Sequence, residues 1–260
     1  MAVITIKTDE FVRTITMNRP DALNAFNDDM MHELCEAFLH AAIDDSVRVL
    51  ILTGAGRAFS AGADLKSMGG TPDPNKHDLR ALMNSMIDFP KPFLIAANGL
   101  GVGIGMTIHG VADMSFMAAS AKFKAPFSSL GLTAEAASTY TFSRLMGHQK
   151  ACWTLLSGEW FTAAECVDMG LAVAVVPDDE LMDTVYAKAN TLAALPLASL
   201  IQTKKLIQAP HVESMKTSVY NEMLGLAALA GGPANKEAIT AFLEKRSEER
   251  RVGKECRSRW

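Results

Sequence analysis

Two short stretches of bare backbone hold the chemical promise of this chain. "GLGVGIGMTIHG", residues 99–110, carries five glycines in twelve positions directly behind the apolar run "FLIAAN". Glycine is used where the chain turns sharply or where another group must approach it closely. A dinucleotide would require G-x-G-x-x-G, but from Gly99, Gly101 and Gly103 the third glycine falls on Ile104, Met106 and Ile108. No G-K-[ST] follows either, so a phosphate-binding P-loop is also missing. What remains is a strand running into a helix whose first N–H groups have no internal acceptor and favour negative charge. A second bend, "SAGAD" (60–64), follows "VRVLILT" in the same way. Two such strand ends, each offering an N–H, can together hold one developing oxyanion. Each loop taken alone is also met by the plainer need for a tight turn or close helix packing.

The side chains nearby say less. His109 lies inside the expected short helix and reads as a packed core histidine. Asp64 follows the second bend, where it braces the loop. Ser60, Ser128 and Ser129 have no visible His/Asp partnership for nucleophilic catalysis. The four cysteines, at 35, 152, 166 and 256, lack metal-ligand or disulfide-framework spacing, so no metal site is expected and a reducing compartment fits best.

The elements that must position these groups read as an α/β body. "VITIK" and "FVRTITM" alternate as half-buried strands about a turn at "TDE". Asn27 caps a helix with Met31, Leu34, Cys35, Phe38, Ala41 and Ala42 at helical spacing. "VRVLILT", "KPFLIAAN", "DMSFMA" and "LAVAVV" read as strands, and "HDLRALMNSMID" contains a helix. Thr133 is expected to cap a helix with Glu135 in its first turn, and "TAAE" (162–165) is a capping box. From about residue 179 the chain is helical, with breaks at Pro196, Pro210 and "GGP".

With 260 residues, 49% hydrophobic and 21% charged, the chain is that of a soluble globular protein. Its net charge of −4 gives no general attraction to nucleic acid. No apolar run approaches the roughly 18 residues of a membrane span, and no secretion signal is visible. The expected location is therefore the cytoplasm, or the peroxisome in a eukaryote. The basic ending "ERRVGKECRSRW" breaks character. It reads as an arm for phosphate or nucleic acid, or as a disordered or cloning-derived end; the second is adopted for residues 247–260.

"RAFSAGADLKSM" followed by "KPFLIAANGLGVGIGMTIHGVADMSF" resembles the crotonase family of enoyl-CoA hydratases and isomerases. "NRPDALNAF", "LLSGEWFTAAECVDMGLAVAVV" and "AITAFLEKR" extend the match over about residues 1–246. The resemblance implies a crotonase-like spiral of ββα turns over 1–195 and a helical trimerisation region over 196–246, assembled as a homotrimer or a dimer of trimers. It implies an acyl-CoA thioester as ligand, with coenzyme A part of the substrate and no separate cofactor. It places the oxyanion donors at Ala61 and Ile104, and runs the backbone of Ala22, Leu23 and Ala25 beside the adenine. Gly62, Ala63, Asp64, Leu65, Gly105 and Phe127 join the binding surface, with Lys66 ahead of Lys122 and Lys124 as a partner for the CoA phosphates. The resemblance breaks after "FLEKR", where "SEERRVGKEC" replaces an aromatic residue that helps cover the nucleotide.

The two glutamates of the family's hydratases align with Thr107 and Phe127, neither of which can act as a base. "KFKAPFSSLGLTAEAASTYTFSRLMG" is similar instead to peroxisomal-type Δ3,Δ2-enoyl-CoA isomerases, in which the glutamate matching Glu135 is the sole acid and base. Small and apolar neighbours would desolvate Glu135 and raise its pKa. The leading expectation is a double-bond isomerase. Hydration or another acyl-CoA reaction on the same fold is the alternative, as is a non-catalytic relative that binds CoA or RNA.

Overall fold

The computed structural model describes residues 2–64 and 73–244. The chain begins with the antiparallel hairpin β1 (Ile4–Asp9) and β2 (Val12–Met17), in register from Ile4 opposite Met17 to Asp9 opposite Val12. α1 (Asp28–Ile43) starts where the Asn27 side chain accepts the Met30 amide. Its buried stripe is Met30, Leu34, Cys35, Ala37, Phe38 and Ala41. Met30 and Ala37 therefore take the inward places expected for Met31 and Ala42, a small rotation of the predicted face.

Three repeats of one pattern follow. A long buried strand enters a large sheet, a three-residue strand enters a small sheet, and a helix or helical turn returns the chain. The repeats begin with β3 (Val49–Gly54), β4 (Ala58–Ser60) and α2 (Leu79–Ile87). Next come β5 (Phe93–Ala97), β6 (Leu100–Val102) and α3 (Ile104–Thr107), which tightens into a 3₁₀ turn over Ile108–Val111. The third repeat contains β7 (Met114–Ala118), β8 (Lys122–Lys124) and α4 (Ser138–Met146). Then come α5 (His148–Ser157), β9 (Trp160–Thr162), α6 (Ala163–Met169) and β10 (Ala174–Val176). The large sheet has the order β1-β2-β3-β5-β7-β10 and the small one β4-β6-β8-β9. This is the ββα spiral that the crotonase resemblance implied.

β3 and β5 are buried at every position, so they read as unbroken apolar runs. β4, β6 and β8 escape a periodicity reading because three residues, two of the strands lying in glycine-rich segments, show no alternation. The capping box at Thr162 and Glu165 forms as expected. α7 (Leu181–Ala193) packs on the large sheet through Leu181, Val185, Ala189 and Ala193. α8 (Leu197–Gln208), α9 (Val212–Leu229) and α10 (Pro233–Leu243) complete the helical end. No described helix is long and apolar enough to cross a membrane.

The expected helix around Thr133 does not exist. Ala136 and Ala137 take φ values of 61° and 60°, which a right-handed helix cannot contain, and α4 begins only at Ser138. Glu135 therefore stands in a loop before the helix.

Gly101 shows how tightly the small sheet is packed. A Cβ there would lie 2.5 Å from Phe123 Cδ1 and 2.6 Å from the Gly105 carbonyl oxygen. Gly101→Ala is expected to destabilise the protein by about 1–3 kcal/mol, seen as a lower urea midpoint at unchanged slope. An unchanged midpoint would show that β6 and α3 yield freely.

Candidate active site

The first loop of the site is built by backbone ties. Asn24, fully buried, accepts the Arg19 amide through Oδ1 and donates from Nδ2 to the carbonyls of Ala55 and Ala58. Leu23 and Asn24 sit at φ 51° and 56°, a fold-back that those bonds hold in place. Arg19 then bridges two segments, donating to the Ala25 carbonyl and pairing with Asp64 at 2.8 Å. Asp64 braces the loop, as its position suggested. The segment of Ala22, Leu23 and Ala25 is thereby fixed against residues 60–64.

One expected role needs correction. The Ala61 N–H donates to the Leu23 carbonyl at 2.9 Å, so it is spent inside the loop and is not available to an oxyanion. The Ser60 hydroxyl donates to the Asn24 carbonyl, and the Gly62 N–H donates to Ser60 Oγ at 3.2 Å. Phe26 N–H donates to Gly62 O, and Asp64 N–H to Phe26 O, a parallel bridge centred on Ala63. In such a bridge the middle residue turns its own N–H to the opposite side. Ala63 is exposed, and its amide makes no hydrogen bond to the described residues. The free donor stands two residues beyond the expected one.

The second loop meets the first directly. Gly103, at φ 54°, turns β6 into α3, and Met106 and Thr107 donate to its carbonyl. Ile104, the first helical residue, has an amide with no acceptor among the described residues. A Cβ on Gly62 would lie 2.8 Å from the Val102 carbonyl oxygen, and Gly105 passes against the backbone of Ser60. Bare backbone on both loops is what lets the ends of β4 and β6 lie side by side. The amides of Ala63 and Ile104 flank this junction.

Glu135 comes to the same helix from the other side. Thr107, one turn after Ile104, donates its hydroxyl to Glu135 Oε1 at 2.9 Å. The second oxygen, Oε2, is buried and has no hydrogen-bond partner among the described residues. The residue is 6% exposed. Burial pushes its carboxyl up to about 8, with a further push from the Glu222 carboxylate, while the Thr107 hydroxyl pulls the other way. An acid that is neutral near pH 7 yet gives up its proton slightly above it is suited to moving protons in both directions.

Phe127 is buried and its carbonyl anchors the turn to Leu130 and Leu132. Leu65 and Lys66 lie outside the described residues. Lys122 is exposed, while Lys124 lies 5.5 Å over the Trp160 ring. Ser128 donates to the Leu155 carbonyl on α5 and Ser129 to the Pro126 carbonyl of its own turn, so both hydroxyls are used in packing and turn contacts. His109 is 2% exposed, packed edge-on to Phe123 and tilted to Phe59; burial pushes it down to about 3, and it stays neutral as a core residue.

His32, Glu36 and His77 bring ligand-type atoms within 4.8 Å of one another. Their valences are already committed. His32 Nδ1 accepts the His77 amide, which puts that ring's proton on Nε2, and His77 Nε2 meets Glu36 Oε1 at 2.6 Å. The cluster ties α1 to the segment before α2.

Sequence reasoning missed Arg19, Asn24 and Glu222. Glu222 did leave a signal: it interrupts the apolar stripe of Met215 and Val219 on α9, and a carboxylate in such a stripe calls for a buried partner.

The sequence pattern of the enoyl-CoA hydratase/isomerase family matches residues 7–250. The chain is 35% identical over 256 residues to 1,2-epoxyphenylacetyl-CoA isomerase of Escherichia coli strain K12, covering 95% of this chain and 97% of that protein. It is 32% identical over 252 residues to human enoyl-CoA delta isomerase 2, covering 94% of this chain but 64% of that longer protein. The crystal structure of an enoyl-CoA hydratase/isomerase from Pseudoalteromonas atlantica T6c superposes with a TM-score of 0.91 at 29% identity, covering 95% and 98% of the two chains. This protein belongs to the enoyl-CoA hydratase/isomerase family and has the crotonase fold.

The buried carboxyl has a thermodynamic consequence. Glu135 holds its proton more tightly folded than unfolded, so its burial adds no ionisation cost well below pH 4.5. The cost grows as the unfolded carboxyl ionises and levels off above about pH 8, at on the order of 5 kcal/mol. Glu135→Gln is therefore expected to match wild type closely near pH 4 and to melt at a higher temperature at pH 9. Parallel melting curves across that range would contradict the described burial.

Proposed function

We propose that this protein is a Δ3,Δ2-enoyl-CoA isomerase, with Glu135 as the single proton shuttle. The ionised carboxylate removes a proton from C2 of a 3-enoyl thioester. The C2–H electron pair forms the C1–C2 double bond of a dienolate, and negative charge moves onto the thioester oxygen. The amides of Ala63 and Ile104 receive that charge, each worth roughly 10²–10³ in rate. The carbonyl then re-forms, the double bond moves from C3–C4 to C2–C3, and C4 takes the proton from the carboxylic acid. Atoms and charge balance without an outside acid or base. In this reading the CoA arm runs along the segment from Ala22 to Ala25, which Arg19 and Asn24 hold against the first loop.

The observation that supports this reading is a desolvated carboxyl bonded to Thr107, one turn from the Ile104 amide. A second reading, hydration on the same scaffold, has less support. Its two carboxylates would have to stand at Thr107 and Phe127, where this chain has a hydroxyl committed to Glu135 and a buried ring.

The test is turnover of a 3-enoyl-CoA, followed by the ultraviolet absorbance of the conjugated product. Glu135→Gln is expected to lower kcat by about 10²–10⁴. Because the base must be ionised, kcat/KM should rise with pH and level off above about 8. Undiminished turnover in the variant removes Glu135 from the role; brisk hydration of crotonyl-CoA in its place favours the second reading.

We also propose that the helical end mediates self-association. Leu206 and Ile207 on α8, with Tyr220 and Leu224 on α9, are all more than half exposed, which suits a face covered by other copies of the chain. Light scattering after size exclusion should give the mass of three or six chains, and Leu206→Glu should lower it. A monomeric wild type would overturn this.

A further inference from the structure

We propose that Glu222, on α9 in the helical end, is the positioning residue of this site: its carboxylate clamps the backbone that presents Glu135 and sets the field in which that acid exchanges protons. The inference rests on the reading of Glu135 as the proton shuttle.

Two consecutive alanines at positive φ follow Glu135, and such a pair persists only when its surroundings over-determine it. Glu222 supplies that constraint. Its Oε2 accepts the Ala137 N–H at 2.7 Å, and its Oε1 accepts both the N–H and the hydroxyl of Thr139, at 3.0 and 2.6 Å. Acceptance at both oxygens from three donors marks the ionised form. Ala137, at the N-cap of α4, has no side chain with which to accept an amide, so a residue of another helix caps α4 instead. α9 also touches the start of the loop: a Cβ on Gly225 would lie 2.8 Å from Thr133 Cγ2. The loop carrying Glu135 is thus gripped at both ends by one face of α9.

The same carboxylate acts through space. Glu222 is 5% exposed, and little solvent screens its charge from Glu135. Burial leaves its own pKa above the ordinary carboxylate value, and the hydrogen bonds from Thr139 and Ala137 offset only part of that rise. Among the described residues, the other titratable groups joining α9 to its neighbours have partners of their own: Lys216 pairs with Asp88 at 2.7 Å and His211 with Tyr140 at 2.8 Å. Glu222 is therefore the charge that opposes ionisation of Glu135.

Glu222→Gln removes the charge and one accepting oxygen at constant size. In the full-length protein it is expected to lower the pH at which Glu135 titrates by about half a unit or more, read from the Glu135 carboxyl carbon by NMR. On a 3-enoyl-CoA, kcat should fall about 10- to 100-fold with KM within about twofold, and the acidic limb should move to lower pH. Glu222→Asp keeps the charge one methylene short: the same loss of kcat is expected with the titration of Glu135 unmoved. It carries the test alone should the Gln variant not fold, and unchanged kcat in it then overturns the proposal. An unmoved Glu135 titration in folded Glu222→Gln overturns it as well. The NMR readout needs no turnover, so an inactive wild type would sink the isomerase reading while still deciding whether Glu222 tunes Glu135.

Discussion

A carboxyl group taken out of water, with one oxygen on the Thr107 hydroxyl and the other without a partner among the described residues, is what the rest of this structure must support. Such a group prefers to be neutral, and the preference weakens the fold at neutral and alkaline pH. The large sheet, with β3 and β5 buried at every position, supplies the stability against which that cost is set. The loop beside it is strained in turn, with two residues at positive φ that Glu222 holds from another helix. Strain and desolvation concentrated at one point, with the support placed elsewhere, is a common arrangement around reactive groups.

The backbone donors follow the opposite rule. They require no unusual side chain, only that nearby N–H groups be used up and two be left over. Arg19, Asn24 and Ser60 tie the first loop to its neighbours, and the Leu23 carbonyl takes the Ala61 amide. Gly103 turns the second loop so that Ile104 begins a helix. The amides of Ala63 and Ile104 are left without an acceptor among the described residues, one on each loop. A donor fixed in this way costs no reorganisation when charge develops.

Much of the fold was legible along the chain. The buried runs at 49–54 and 93–97, the Asn27 cap and the Thr162 capping box each carry their own local signal, and each forms. The two glycine-rich bends were legible as well, because only bare backbone allows Gly62 and Gly105 their close approaches. Errors arose where a residue's state depends on distant partners. Thr133 looked like a helix cap, but α9 pins the following loop into another shape. Ala61 looked like a donor, yet its amide is consumed by a carbonyl 38 positions earlier in the chain.

The sequence by itself determined the order of the long buried strands and of the main helices, the places where backbone is left bare, and the presence of an acid at 135 where no second base stands at 107 or 127. Those properties follow from residue type and local spacing. Tertiary structure alone decided which amides remain unpaired, that Thr107 meets Glu135, and that a glutamate 87 positions further on holds the loop. The physical reason is that a hydrogen bond or a desolvation cost belongs to a pair of groups in space. The spiral brings together residues that are remote along the chain.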